Sequence, residues 1–555
     1  MDKFVAKFDI FTDENGFYVV RKDNFLEAVE YLLHVKKFTM LLDITAIDYL
    51  TFNNKMPSRF CLVYLFRSED FKTQIGLKVF LQDLKIPSLS LLYKSASWGE
   101  REVYDQYGII FLSHPNLKRI LNHQEFKGHP LRKDYDIREG EWCEKTDTLM
   151  DEMEKKLGKK KKKKKKETED IMFLNLGPAH PASHGTIRTF VALKGESILK
   201  AVSEIGYLHR GFEKSCENHT YNQIIPYTDR LNYCSAILNN IGFAHGVEQM
   251  LGIEIPMRGQ YIRVITGELS RIIDHLVCLA AILVDMGALT NYWYLFNPRE
   301  KIYDLLSKLT GARLTNSYMR IGGVAHDLYE GFEEDLKECI KAVQRGVSDV
   351  LKLIEHNRIF HDRTQNIGII NKEDAINYGL SGPNLRASGV AYDIRKIKPY
   401  YMYEDFNFEV PIGSIGDVYD RVMVRFEEIN QSILIINQAI KSLPKGDISI
   451  DDRSISLPKK QNVYNNIEGL MNQFKLIYEG VKVPKMEHYS CTEAGNGELG
   501  FFIVSDGSGT PYKVKVRPPC FYSMSAYPQM IENAMVADAI LTLGSLNIIA
   551  GELDR

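Results

Sequence analysis

GELSRIIDHLVCLAAILVDMGAL, residues 267–289, carries apolar side chains at helical spacing over a length no strand reaches. Its apolar run, 276–284, is bounded by His275 and Asp285. Nine residues cannot span a bilayer, so a helix inside a protein is expected. Three more segments share the pattern: PREKIYDLLSKLTGAR (298–313), FEEDLKECIKAVQRGVSDVLKLIEH (332–356) and GDVYDRVMVRFEEINQSILIINQAIKSL (416–443). Strand-like pieces stand at both ends of this region: IMFLNL and IRTFVAL before it, LGFFIVSD and YKVKVRPP after it. The expectation for 171–555 is a large, mainly α-helical domain with small β elements at its termini.

Working outward, residues 1–140 mix element types. DNFLEAVEYLLHVKKF has Leu26, Val29, Leu32 and Leu33 at helical spacing, with Asp23 or Asn24 as the N-cap. RFCLVYLFRS and IGLKVFLQ are short, apolar and β-rich, and SWGEREVYDQYGIIF is expected to enter a helix. This is a compact α+β domain. Between the two, 141–170 is nearly all charged and includes eight consecutive lysines, 159–166. Like charges repel and such a block buries no core, so an extended or frayed linker is expected. A solvated tether is the plain reading of the run; contact with anionic lipid is the other, and no aromatic interleaving supports nucleic acid.

Composition narrows the function classes. At 555 residues the chain exceeds what one core supports. With 45% apolar and 26% charged residues and a net charge of −2, no global field points to nucleic acid. The eight cysteines form no CxxC pair, which leaves neither a zinc site nor a disulfide framework and fits a reducing compartment. The N-terminus has no apolar core of signal-peptide length. GSIGD (413–417) and SDGSG (505–509) give neither a P-loop nor a dinucleotide fingerprint.

Candidate chemistry lies in three places. GPAHPASHG (177–185) spaces His180 and His184 four apart, like metal ligands on a helix, but Pro181 between them breaks that geometry. A tight turn carrying a rigid side chain is the better reading, with local hydrogen bonding of the histidines as its bland counterpart. LHRGFEKSCENHTYNQIIPYTDRLNY (208–233) concentrates Arg210, Arg230 and Tyr233. The arginines suit an anionic cofactor or structural ion pairs; the phenol suits a proton donor or a core tyrosine. Asp285 ends the apolar run, either turned to solvent or paired with a cation such as a protonated histidine.

These motifs resemble a known family. GPAHPASHGTIR, GYLHRGFEK, YTDRLNY, RGQYIRVITGELSRIIDHL, DMGALT, RIGGVAHD, DRTQNIGI, YGLSGPNLRASGV, PIGSIGDVYDR, YSCTEAGNGELG, VSDGSGTPYKVKVRPP and the final GELDR look like the D subunit of NADH-quinone oxidoreductase, respiratory complex I. SWGEREVYDQYGIIFLSHPNLKRIL and FKGHPLRKDY resemble its C subunit, which makes the chain look like a C–D fusion of the bacterial type. The resemblance implies a D part similar in fold to the large subunit of [NiFe] hydrogenases. Those enzymes hold their metals with two CxxC pairs, whereas here Cys216 stands alone and GELDR has no cysteine. Hydrogenase activity is therefore not expected, since thiolates are the ligands a soft-metal centre needs. A non-catalytic assembly module is a further alternative.

The resemblance further implies a quinone site, for menaquinone or ubiquinone, with no metal ligated by this chain. His184 and Tyr233 match the residues at the quinone headgroup, and Asp285 matches the partner of His184. Arg210 and Arg230 match arginines near a terminal 4Fe-4S cluster held by the B subunit, and His180 supports the loop. The implied partners are the B and I subunits, the membrane subunits H and A and the rest of the complex, on the cytoplasmic side of the inner membrane. One departure stands out: Thr315 occupies a position where many members carry a histidine. The expectation is a cluster potential nearly independent of pH, and a steep slope in a redox titration across pH would contradict it. His326, nearby in sequence, is not given that role.

Overall fold

The computed structural model describes residues 1–53, 56–136, 138, 140–143, 148–157 and 171–555. The lysine run 159–166 lies outside them.

The N-terminal part is built on a five-stranded sheet ordered β1-β2-β5-β4-β3. Its strands are β1 (Phe11–Thr12), β2 (Tyr18–Val19), β3 (Met40–Asp48), β4 (Phe60–Arg67) and β5 (Gln74–Leu81). All neighbours are antiparallel except β2 and β5. Strand β4 reads FCLVYLFR and is buried throughout, as a strand covered on both faces must be. The two-residue period separates its partners. Leu62, Tyr64 and Phe66 join the small core with Phe25, Val29 and Leu32 of helix Phe25–His34. Cys61, Val63 and Leu65 belong to the large core of the C-terminal part. A register shift between Leu41 and Asp43 keeps β3 in step, with Leu42 on the large core and Ile44 on the small one. Neither expected N-cap acts through its side chain, because residues 22–24 form a 3₁₀ turn and Asn24 Nδ2 donates to the Phe8 carbonyl.

The two halves are also joined by buried charges. Arg67 meets Glu498 at 3.1 Å, Lys78 meets Glu487 at 2.7 Å, and Lys515 and the C-terminal Arg555 both meet Glu102. The Tyr522 hydroxyl donates to Asp43 at 2.8 Å. Such pairs add little net stability, but removing one partner strands the other in the interior.

The linker expectation needs correcting at 149–156. Leu149–Lys156 is a helix whose Leu149 and Met153 pack against Ala192 and Val202. Glu152 pairs with Lys118 and accepts from Asn116, and Lys156 donates to the Ala201 carbonyl at 2.8 Å. Two apolar residues at i and i+4 suffice for one docked helical face, and the surrounding charge hid them.

In the C-terminal part, helix Met257–Asp285 is the central element. Helices Ala236–Leu251, Leu289–Thr310, Val418–Lys441 and Val536–Leu546 pack on it. Two antiparallel three-stranded sheets flank the bundle: Met172–Leu176, Arg188–Lys194 and Ser197–Glu204, then Met486–Ala494, Gly497–Ser505 and Lys513–Arg517. The central helix ends in a Schellman motif. Ala288 N–H donates to Leu283 O at 2.9 Å and Gly287 N–H to Val284 O at 2.8 Å, with Gly287 at φ 84°. That stop leaves Asp285 as the last helical residue. Among the described residues no helix is long and apolar enough to cross a membrane.

Candidate functional site

The loop 177–185 is a short 3₁₀ turn, Pro181–Ser183, and not a helix. His180 caps it, its Nδ1 accepting from Ala182 N–H at 3.2 Å. Ser183 Oγ donates to the carbonyls of His180 and Gly185 at 2.6 and 2.7 Å, which braces both sides of the turn. His184 then takes a left-handed conformation, φ 51°, and leaves the turn toward the central helix. The two imidazoles are spent on different partners, so the metal-pair geometry is not formed. Among the described residues no cluster of three or more His, Cys, Asp or Glu is placed to hold a metal ion.

His184 Nε2 lies 2.7 Å from Asp285 Oδ2, with side chains 21% and 18% exposed. An ionised carboxylate only accepts, so Nε2 carries the hydrogen and Nδ1 is left for another partner. A carboxylate in the last turn of a helix faces the negative end of the dipole, and the imidazole N–H donated from His184 offsets that cost. Gly544, on helix Val536–Leu546, makes room for the pair: a β-carbon there would stand 3.2 Å from Asp285 Oδ2 and 3.4 Å from His184 Nε2.

Tyr233 starts the 3₁₀ turn Tyr233–Ser235, capped by Asn232, whose Oδ1 accepts from Cys234 and Ser235 N–H. The ring is 41% exposed, and its hydroxyl makes no hydrogen bond among the described residues. Partial burial, then the Cys234 and Cys520 thiols and the Asp274 carboxylate, push the phenol above its ordinary value. It thus keeps its proton until a strong base arises. Asp274, Cys278 and Asp285 recur at near-integral turns of the central helix, so the surroundings of Tyr233 and of His184 share one helix face. Tyr233 itself is not bonded to the His184–Asp285 pair.

Arg210 and Arg230 come together on a neighbouring surface. Arg210 Nη2 donates to the Arg230 carbonyl at 2.8 Å and to that of Gly551 at 3.4 Å, and Arg230 bonds the Pro226 carbonyl. Burial and then the charge of Arg230 hold the Arg210 guanidinium below its usual range. Among the described residues neither forms an ion pair within 4.0 Å, although the Asp554 carboxylate favours the Arg210 charge from farther off. The C-terminal segment braces this corner: Asp554 accepts from Gly206 and Leu208 N–H, and Arg210 N–H donates to Arg555 O. Thr315 lies in the loop after helix Leu289–Thr310, at φ 50°.

Sequence reasoning missed Gly544, Asn232 and Asp274. Two polar neighbours, Asp274 and His275, at the start of the apolar run of the central helix were the available signal for the last. For the other two, a glycine in TLGSL and an asparagine before the tyrosine carry no signal of their own.

Comparison with known proteins identifies the family of the chain. Residues 18–141 match the family model for the respiratory-chain NADH dehydrogenase 30 Kd subunit, and 285–555 that for the 49 Kd subunit. A fused C/D subunit of NADH-quinone oxidoreductase from Bdellovibrio bacteriovorus is 47% identical over 542 residues, 97% of this chain and 94% of the relative. A C/D subunit from Aquifex aeolicus, numbered 2, is 38% identical over 97% of this chain and 95% of its own length. A separate D subunit from Myxococcus xanthus is 51% identical over 384 residues, 69% of this chain and 92% of that protein. One polypeptide thus carries both parts, and the chain belongs to the C/D family of NADH-quinone oxidoreductase subunits, components of an oxidoreductase complex.

Proposed function

We propose that this chain forms the quinone headgroup site of a proton-pumping NADH-quinone oxidoreductase, with His184, Tyr233 and Asp285 at the ring and Arg210 and Arg230 facing the terminal 4Fe-4S cluster of the B subunit. The fold of the C-terminal part is read as that of a hydrogenase large subunit from which the metal ligands are gone. The observation that carries the reading is the His184 Nε2–Asp285 Oδ2 bond, which ties a rigid loop to the end of the central helix and leaves imidazole Nδ1 uncommitted. The accessible, unbonded Tyr233 hydroxyl adds a second donor.

The cluster, when present on its partner, supplies the electrons. This chain's residues handle protons. The His184 imidazolium, through Nδ1–H, and the Tyr233 hydroxyl hydrogen-bond the two carbonyls of the oxidised ring and give up protons as the oxygens become basic. Asp285 orients His184 and is left uncompensated when that proton departs, a charge change that biases the loop and helix end toward new positions. The cationic patch of Arg210 and Arg230 suits the net negative charge of a thiolate-ligated cluster. The chain is placed against the I subunit and the membrane subunits H and A, on the cytoplasmic side of the inner membrane.

The test uses the assembled complex carrying His184→Ala or Tyr233→Phe. Quinone reductase activity is expected to fall roughly tenfold or more, while NADH oxidation by an artificial acceptor stays normal. Full quinone reductase activity in both normally assembled variants would remove the assignment.

A further inference from the structure

Beneath Tyr233 lies a set of buried charges that the quinone reading leaves without a task. Asp274 and His275 are 1% and 0% exposed. Asp274 Oδ1 accepts from Asn232 Nδ2 at 3.2 Å, and Asn232 is the residue that caps the Tyr233 turn. Asp274 Oδ2 accepts from Asn547 Nδ2 at 3.0 Å, and Gly495 closes the carboxylate off so tightly that a β-carbon there would lie 2.5 Å from Oδ2. Behind it, His275 Nε2 lies 2.8 Å from Glu428 Oε2. Burial opposes ionisation of Glu428, but Arg386 at 2.7 Å and His275 outweigh it and hold the carboxyl far below its usual range. His275 Nε2 therefore carries a hydrogen.

The remaining imidazole nitrogen decides the matter. His275 Nδ1 is buried, has no hydrogen-bond partner, and sits 4.0 Å from Asp274 Oδ2. With Asp274 ionised and Nδ1 bare, two acceptors would face each other in a dry interior. One proton removes the conflict, whether on Nδ1 or on Asp274. The other charges facing the pair are Arg271 from the same helix, Arg425 from helix Val418–Lys441 and Glu552 from the C-terminal helix, beside Cys520. Burial raises the Asp274 carboxyl and lowers the His275 imidazole; His275 and the two arginines oppose the rise at Asp274, Arg425 adds to the fall at His275, and Glu552, when ionised, adds to the rise at Asp274.

We propose that Asp274 and His275 share one exchangeable proton and act as positioning residues for Tyr233, holding its turn through Asn232 and adjusting the charge beneath its phenol. The inference rests on the assignment of Tyr233 as a proton donor to the quinone. When the Tyr233 O–H bond breaks and its proton goes to the reduced ring oxygen, a phenolate is left above Asp274. The shared proton then moves from His275 Nδ1 to Asp274: one N–H bond breaks, one O–H bond forms, and the like charge under the phenolate disappears. At alkaline pH the pair loses its proton, Asp274 stays charged, and the phenol becomes harder to ionise.

The experiment measures kcat and KM for quinone against pH in the assembled complex carrying Asp274→Asn. The alkaline limb of the kcat profile is expected to shift upward by about one pH unit or vanish, with KM kept within about twofold. A purely structural role would scale activity by one factor at every pH. A profile that superimposes on the wild type, or keeps its shape at lower height, overturns the proposal. Impaired Tyr233→Phe with an unchanged Asp274→Asn profile removes only the pair, whereas fully active Tyr233→Phe removes the tyrosine assignment itself. Should Asp274→Asn fail to assemble, infrared difference spectra of the wild-type complex on quinone reduction are decisive. A protonated-carboxyl band that shifts with ¹³C-labelled aspartate and is lost in His275→Gln supports the shared proton, and its absence from the wild type rejects it.

Discussion

Gly544 shows how much one missing side chain can matter. Its α-carbon is the floor under the His184–Asp285 bond, and a methyl group there meets both polar atoms at 3.2–3.4 Å. Gly544→Ala is expected to push the pair apart and lower quinone reductase activity several-fold in a complex that still assembles, because overpacking costs only about 1–3 kcal/mol. Activity equal to wild type would mean the pair has room to move. At this scale the sequence exposed His184, Tyr233 and Asp285 through their motifs, since loop glycines and prolines and a carboxylate ending an apolar run are local signals. It could not show that His184 and Asp285, 101 residues apart, share a bond. Nor could it show that Arg210 bonds the backbone carbonyls of Arg230 and Gly551, because such pairing depends on what other segments bring.

At the scale of elements, two helices carry testable consequences. Glu100, on helix Ala96–Tyr107, accepts from Ser88 Oγ and Leu89 N–H, and burial pushes its carboxyl up to about 8. A carboxyl raised above its unfolded value favours the folded state at low pH, and that contribution is lost as pH rises from 4.5 through about 8. The loss is on the order of 5 kcal/mol, an upper figure. Glu100→Gln should therefore flatten the fall in thermal stability between pH 4.5 and about 8; an unchanged slope across that window would contradict the raised carboxyl. The docked helix Leu149–Lys156 makes a second case. Met153→Ala removes half of its small apolar face, at a cost of roughly 2–5 kcal/mol. Trypsin should then cut after Lys155 and Lys156 markedly faster than in the wild type. The segment was unreadable in sequence because three apolar residues, Leu149, Met150 and Met153, among charges carry little periodicity, whereas the long helices, with many turns each, announced themselves.

At the scale of the whole molecule, the N-terminal sheet is shared property. One face of β4 belongs to its own helix and the other to the core of the C-terminal part, and Arg67 at its end reaches Glu498. Glu498→Ala leaves Arg67 buried without its counter-charge and is expected to destabilise the chain by about 3–5 kcal/mol, read as a lower melting temperature for both halves together. Separate melting of the two halves would contradict this coupling.

The sequence by itself determined the helices of the C-terminal part, the strands of the N-terminal sheet, the absence of paired cysteines and, through its motifs, the family. Each is written in local periodicity, in short-range spacing or in residue identity, which a linear reading can see. Tertiary structure alone decided which face of β4 meets which core, that a piece of the charged segment folds and docks, and that His184 closes on Asp285 over Gly544. It also decided that Asp274 and His275 are sealed under Tyr233. These depend on contacts between residues tens to hundreds of positions apart, where burial and pairing set the charge state of each group, and no local pattern encodes them.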